Sequence, residues 1–168
     1  NVMKQHEHDY PSFIFIGPSP IDFNKKKTFG QCVWNKLCNF NLQNHMKNGK
    51  RKFGIILNTD PHYLGGSHWI CLFIHLDKGY IYYFDSNADR TPKQVNELAE
   101  KIIGQGNSLG VKLKYIKNTT EHQKGDTECG MYVLYVINQL LQNKMTPKDF
   151  NKRIKDEEME NLRSVLFN

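Results

Sequence analysis

The sequence lacks any run approaching ~18 uninterrupted apolar residues, which excludes a single apolar membrane-spanning helix. Its opening, Asn1 to His6, offers no apolar stretch and is not read as a signal peptide. Internal repeats and low-complexity blocks are absent. So are zinc-finger spacing, an RNA-recognition signature and a helix-turn-helix pattern, which leaves no sequence-specific nucleic-acid module in view. Cysteine is sparse: Cys32, Cys38, Cys71 and Cys129, with no C-x-x-C pair. Without a secretory signal these are expected to be free thiols in a reducing compartment rather than disulfides. What remains is a chain of 168 residues, 39% hydrophobic and 12% aromatic, expected to fold as one domain (1–168) with a substantial core. The formal charge is +6. Basic residues cluster at Lys25–Lys27 and at Lys47, Lys50, Arg51 and Lys52. Such clusters are either solvated loops or a patch for nucleic acid or an acidic partner.

Residues 1–28 read as loop-like, with Pro11, Pro18 and Pro20 around one short apolar run, Phe13 to Ile16. Thr28 is placed to cap a helix through about Asn44, on which Phe29, Val33, Trp34 and Leu37 recur at helical spacing. Phe53 to Leu57 reads as a strand. Gly65-Gly66 punctuates a loop, and two strong strands follow, Trp69 to Leu76 and Tyr80 to Phe84, joined by Asp77-Lys78-Gly79 as a hairpin. Thr91-Pro92 opens a helix to Ile103, ended by Gly104 and Gly106. Val111 to Ile116 alternates as a strand. Residues 129–143 form a buried helix, Thr146-Pro147 starts a short one, and Asp156 to Leu166 forms the last. The fold class expected is α+β, a single domain with a central mixed sheet flanked by helices.

The most informative segment is Asp126-Thr127-Glu128-Cys129-Gly130-Met131-Tyr132. A turn-prone polar stretch ends there and an apolar helix begins, so Cys129 sits at a helix N-terminus, where backbone N–H groups and the dipole favour a thiolate. Cys71, within an apolar strand, and Cys32 and Cys38, at helical spacing, read instead as small packing residues. His68 directly precedes the first hairpin strand and Asp85 directly follows the second. Each lies about eight or nine residues from a turn centred near residue 77, so the hairpin brings them out together at its open end. A carboxylate beside an imidazole fixes its tautomer and stabilises the imidazolium. That pair would serve Cys129 as base and later protonate a leaving amine. Gln123 is the best side-chain donor for a developing oxyanion, with the Cys129 N–H as its partner. His68-(x)2-Cys71 suggests zinc on paper, but positions 68 and 71 in a strand face opposite sides, and neither metal nor cofactor is expected.

These residues resemble the adenain and ubiquitin-like-protein protease group of cysteine peptidases. The likeness lies in Gly-Ser-His68-Trp69, Tyr-Phe-Asp85-Ser86 and Gln123-(x)5-Cys129-Gly130, in that order, and spans about residues 53–143. The resemblance implies that group's fold, with His68 as base, Asp85 as its orienter, Gln123 as oxyanion donor, Cys129 as nucleophile and Trp69 beside the substrate. Within the group, Phe53-Gly-(x)2-Leu57-Asn58-Thr59-Asp60, His122-Gln123, Thr127-Glu128-Cys129-Gly130 and Asp156-Glu157-Glu158-Met159 are similar to polyprotein-processing proteases of large DNA viruses of the African swine fever virus type. Those enzymes carry Asn where this chain has Asp85; Asp is usual in the wider group. The implied function is cleavage after Gly-Gly-type sites in viral structural polyproteins during particle maturation, in the virion and host cytoplasm. The alternative is deconjugation of SUMO, ubiquitin or a relative in the cytoplasm or nucleus. Implied partners are a protein carrying a Gly-Gly motif and, through the basic clusters, DNA; no membrane is implied.

Overall fold

The computed structural model describes residues 2–167. Its centre is a five-stranded mixed sheet in the order β1 (Phe13–Pro20), β2 (Lys52–Asn58), β3 (Trp69–His75), β4 (Tyr80–Phe84), β5 (Lys114–Lys117). The β2–β3–β4 meander is antiparallel, and each edge strand is parallel to its neighbour. Every residue from Phe53 to Leu57, from Ile70 to His75 and from Tyr80 to Phe84 is buried, so the central strands carry apolar groups on both faces. One face holds Ile55, Leu72, Ile81 and Tyr83 against helix α4 (Lys93–Ser108) and against Leu37 and Leu42 of the short helices α2 (Asn35–Cys38) and α3 (Leu42–Lys47). The other holds Phe13, Phe73, Tyr82 and Phe84 against α5 (Cys129–Leu141), with Met3 of α1 (Val2–Asp9) and Met159 of α6 (Asp156–Phe167) closing that layer. A 3-10 turn, Pro147–Asn151, buries Phe150 against Tyr82 and Phe84.

Four expectations change. The segment read as loop-like contains α1 and β1; Pro18 and Pro20 are accommodated because β1 is an edge strand and its pairing with β2 is irregular between Ile16 and Ser19. The helix expected from Thr28 is a looped segment closed by a Lys26–Cys32 bridge and followed only by α2 and α3. That loop turns Cys32 back onto the end of α2, and Cys32 and Cys38 form a disulfide with Cα atoms 6.3 Å apart, where two free thiols were expected; Cys71 and Cys129 are free. Finally, α4 runs through Gly104 and Gly106. At Gly106 a Cβ would meet the Val111 carbonyl at 2.7 Å, so this glycine lets the returning chain pack on the helix end instead of ending it.

Gly54 has a similar role inside the sheet. A Cβ there would lie 3.0 Å from the Phe13 ring and 3.1 Å from Ile137 of α5. Its absence lets α5 approach the sheet and so sets where the helix N-terminus falls. Gly54→Val is expected to cost roughly 1–3 kcal/mol by overpacking, read as a lowered midpoint in thermal or urea denaturation; an unchanged midpoint would show that the α5–sheet spacing is not constrained at this point.

Candidate active site

The β3–β4 hairpin carries His68 and Asp85 to one end of the sheet, as its sequence predicts. His68 Nε2 and Asp85 Oδ1 are 2.6 Å apart. Asp85 is 2% exposed and is fixed from several directions. Its Oδ1 also accepts the Asn87 N–H at 2.9 Å and its Oδ2 the Asp89 N–H at 3.2 Å, which shapes the turn after β4. With Nε2 committed to Asp85, the other ring nitrogen of His68 is left for Cys129, whose neighbouring thiol also raises the basicity of the ring.

Cys129 is the first residue of α5, and no side chain caps that helix. Its N-terminal N–H groups are therefore left for the thiol and for whatever binds beside it. Burial pushes the Cys129 thiol up, but the hydrogen bond from His68, the Trp69 backbone amide, the His68 charge and the Gly130 amide outweigh it, and the thiol titrates below its ordinary range. The Asp85 hydrogen bond, then that of Cys129, raises His68 to about 10 against the opposing effect of burial. Both shifts favour the same species, a thiolate–imidazolium pair. Cys71 is the contrast: burial in the apolar core pushes its thiol far up, with the Asp85 charge adding to it. It lies in the layer under α5, away from the cleft.

Gln123 is placed by the same end of the sheet. The N–H groups of His122 and Gln123 both donate to the Ser86 carbonyl, at 2.8 and 2.9 Å, and Asn118 Nδ2 donates to the Asp85 carbonyl at 2.7 Å. Ser86 Oγ donates to Gln123 Oε1 at 2.6 Å, which fixes the amide orientation; one Nε2 hydrogen goes to the Gly125 carbonyl at 3.0 Å. Ser86 and Asn118 were not singled out from sequence, since a serine and an asparagine in loops carry no spacing signal. Nor was the part played by α6. Asp156 Oδ2, at its first residue, accepts the Lys124 and Gly125 N–H groups at 3.0 and 2.9 Å. Arg163, two turns on, donates to Glu128 Oε2 and the Thr127 carbonyl, both at 3.1 Å. One helix thus holds both ends of the loop that leads into Cys129.

Trp69 is half-buried, with its ring 3.9 Å from the point a Gly130 Cβ would occupy. It lines a cavity of about 320 Å³ whose other walls include Trp34, Ser19, Asn58, His62 and Leu64. Trp34 is a second indole that sequence reading assigned only to a helix face. His62 and Leu64, from the loop that Gly65-Gly66 punctuates, line it while the glycines do not; Gly66, with φ +85, lets its loop press against the Asn58 amide, which a Cβ would overlap. A bond from the His62 N–H to Asp22 Oδ1 at 2.8 Å ties this loop to the one carrying Trp34. As for cations, ligand atoms of His68, Asp85 and Asp89 lie within 4.8 Å of one another, but the first two are bonded together and only Asp89 is free to offer a ligand.

An imidazole held between a buried carboxylate and a thiol at a helix N-terminus is the arrangement of the cysteine peptidases. The profile of the Ulp1 protease family, C-terminal catalytic domain, matches residues 50–167, and the chain belongs to that family. It is 29% identical over 167 residues to thiol protease R355 of Acanthamoeba polyphaga mimivirus, covering 99% of this chain and 53% of that protein. It is 35% identical over 118 residues to a SUMO-1 cysteine protease of African swine fever virus, covering 68% of this chain and 43% of the relative. The crystal structure of an African swine fever virus protease superposes with a TM-score of 0.79 at 27% identity, over 96% of this chain and 62% of that one. The chain thus spans about half the length of the curated relatives it matches.

Two outcomes are expected. Iodoacetamide should alkylate Cys129 with a pH midpoint below 9.0, the ordinary thiol value, and His68→Ala should move that midpoint up, because burial is then opposed only by the Trp69 and Gly130 amides. A midpoint unmoved by His68→Ala would break the ion-pair assignment. Asp156→Ala should lower kcat roughly 10–100-fold through a misplaced loop while circular dichroism of the folded protein stays unchanged; undiminished kcat would show that the tether does not position the loop.

Proposed function

We propose that this chain is a cysteine endopeptidase that cuts after Gly-Gly and processes viral structural polyproteins during particle maturation, in the virion and the host cytoplasm. The observation that carries the substrate reading is the cavity bounded by Trp34 and Trp69. Ser19 is 1% exposed, and its Oγ and the Trp34 Nε1 are buried with no hydrogen-bond partner among the described residues. Buried polar groups are normally paired. An extended peptide backbone brings the carbonyls and amides to pair them, and residues without side chains let that backbone lie directly against the two indoles that line the cavity. Gly-Gly meets that requirement.

The chemistry follows from the residues. Cys129 Sγ attacks the carbonyl after the second glycine while His68, held by Asp85, keeps the thiol ionised. The oxyanion is met by the Cys129 N–H and by the Gln123 Nε2 hydrogen that Gly125 does not hold. His68 then protonates the departing amine, and a water deprotonated by His68 releases the acyl group. The activity is expected over a window in which Cys129 is ionised and His68 protonated. It is lost as pH rises through about 10, where His68 loses its proton, and as pH falls far enough to reprotonate the thiol.

Deconjugation of a ubiquitin-like modifier is the second reading, favoured by the name of the African swine fever virus relative; it uses the same groove, since those modifiers also end in Gly-Gly. DNA contact has narrower support. Lys50 donates to the Pro11 and Phe13 carbonyls, Arg51 pairs with Asp77, and Lys52 donates to the Leu141 carbonyl, so the second basic cluster is largely occupied by structural bonds. Lys25, Lys26 and Lys27 remain as an exposed group.

Peptides containing Gly-Gly, presented beside a panel of modifier vinyl sulfones, separate the readings. Peptide cleavage abolished by Cys129→Ala and slowed roughly 10²–10³-fold by Gln123→Ala is the expected result. Labelling by a modifier without peptide cleavage would replace polyprotein processing with deconjugation.

A further inference from the structure

A second cavity, of about 420 Å³, is lined by His68, Asp85 and Gln123 of the candidate site itself and shares no lining residue with the tryptophan-walled one. The division falls between neighbours in sequence: His68 and Thr59 line the second cavity, Trp69 and Asn58 the first. If the glycines lie against the indoles, the part of the substrate beyond the scissile bond leaves on this other side. Its floor is Tyr83, which is 1% exposed and whose hydroxyl has no partner among the described residues. Beside it stands Asp89, whose carboxylate lies within 4.8 Å of a His68 ring nitrogen and of the Asp85 carboxylate, and whose one hydrogen bond among the described residues is that of its backbone N–H to Asp85. Asp126 adds a second unpaired acid to the wall. The charge of Asp85 is matched by His68. The remaining cation, Arg90, also lines the next depression with Lys93 and Asn96, so it stands on the outer ridge.

We propose that this cavity is the subsite for the residue following the Gly-Gly cut, and that Asp89 and the Tyr83 hydroxyl select there a lysine or another side chain that donates hydrogen bonds, against an acidic one. The proposal rests on the Gly-Gly reading and specifies which residue follows it. A lysine ammonium meets the Asp89 carboxylate and can donate to the phenolic oxygen, pairing two groups that otherwise have no partner; a glutamate meets a carboxylate instead.

The test uses the full chain and a peptide series Gly-Gly-X with X = Lys, Asn, Ala or Glu, cleavage being followed by chromatography. The value of kcat/KM for Lys is expected to exceed that for Glu about tenfold, the combined effect of one attractive and one repulsive partly exposed pair, and the ratio should shrink in high salt. Asp89→Asn should reduce the Lys-to-Glu ratio to about two, the ratio being read because a change in rate common to all four peptides cancels in it. Tyr83→Phe should lower the Asn-to-Ala ratio. Equal rates across the series, or a Lys preference that survives Asp89→Asn, overturn this subsite and leave the Gly-Gly reading standing. Cleavage of none of the peptides, with Cys129 still alkylated by iodoacetamide, overturns both.

Discussion

The charge-assisted bond between His68 and Asp85 is the constraint on which the rest of the site depends. It exists because a four-residue turn sends β4 back along β3, leaving one residue at the mouth of each strand. It commits one ring nitrogen and so decides which one faces the thiol. It also raises the basicity of the ring enough that a thiolate, which burial opposes, becomes the stable partner. Without Asp85 the imidazole would lose the largest of the interactions that raise its basicity, while burial went on lowering it.

The remaining architecture serves to bring α5 to that bond. Its apolar face packs on the sheet through Met131, Val133, Val136, Ile137 and Leu140. The missing side chain at Gly54 sets how closely it can lie. Its uncapped first turn then ends against His68. The loop that bears Gln123 is laced to the end of β4 by Ser86 and Asn118, so the Gln123 amide is referenced to the same strand end as Asp85 and the His68 ring bonded to it. Two cavities with different linings flank the point where these groups converge. One is walled by indoles with unpaired polar atoms, the other by unpaired carboxylates and a phenol.

Legibility from sequence followed the range of the interactions. The hairpin and α5 are written in continuous apolar runs, and the meeting of His68 with Asp85 needs only strand counting. The step from polar loop to apolar helix at Cys129 is likewise local. What escaped depends on contacts between distant segments. β1 looks like a loop because prolines break it, and it is a strand only because β2 lies alongside. The glycines at 104 and 106 look like a helix end, yet Gly106 is small because the chain after the helix passes over it. Trp34 reads as one apolar residue in a helical pattern, and becomes the wall of a groove once the Cys32–Cys38 disulfide and a broken helix turn its loop toward Trp69. Ser86, Asn118 and Asp156 are polar residues without local pattern, and their roles arise from where the sheet and α6 place them.

The two tethers from α6 have a consequence in time as well as in space. Asp156 and Arg163 reach back 31 to 36 residues to hold the loop before Cys129. During synthesis the thiol, the imidazole and the carboxylate are all made before the helix that fastens that loop. A nascent chain stopped short of residue 156 holds every reacting group and lacks the clamp that aligns them. The order of the loop before Cys129 is therefore coupled to the docking of the last helix, which the chain makes after the thiol, the imidazole and the carboxylate.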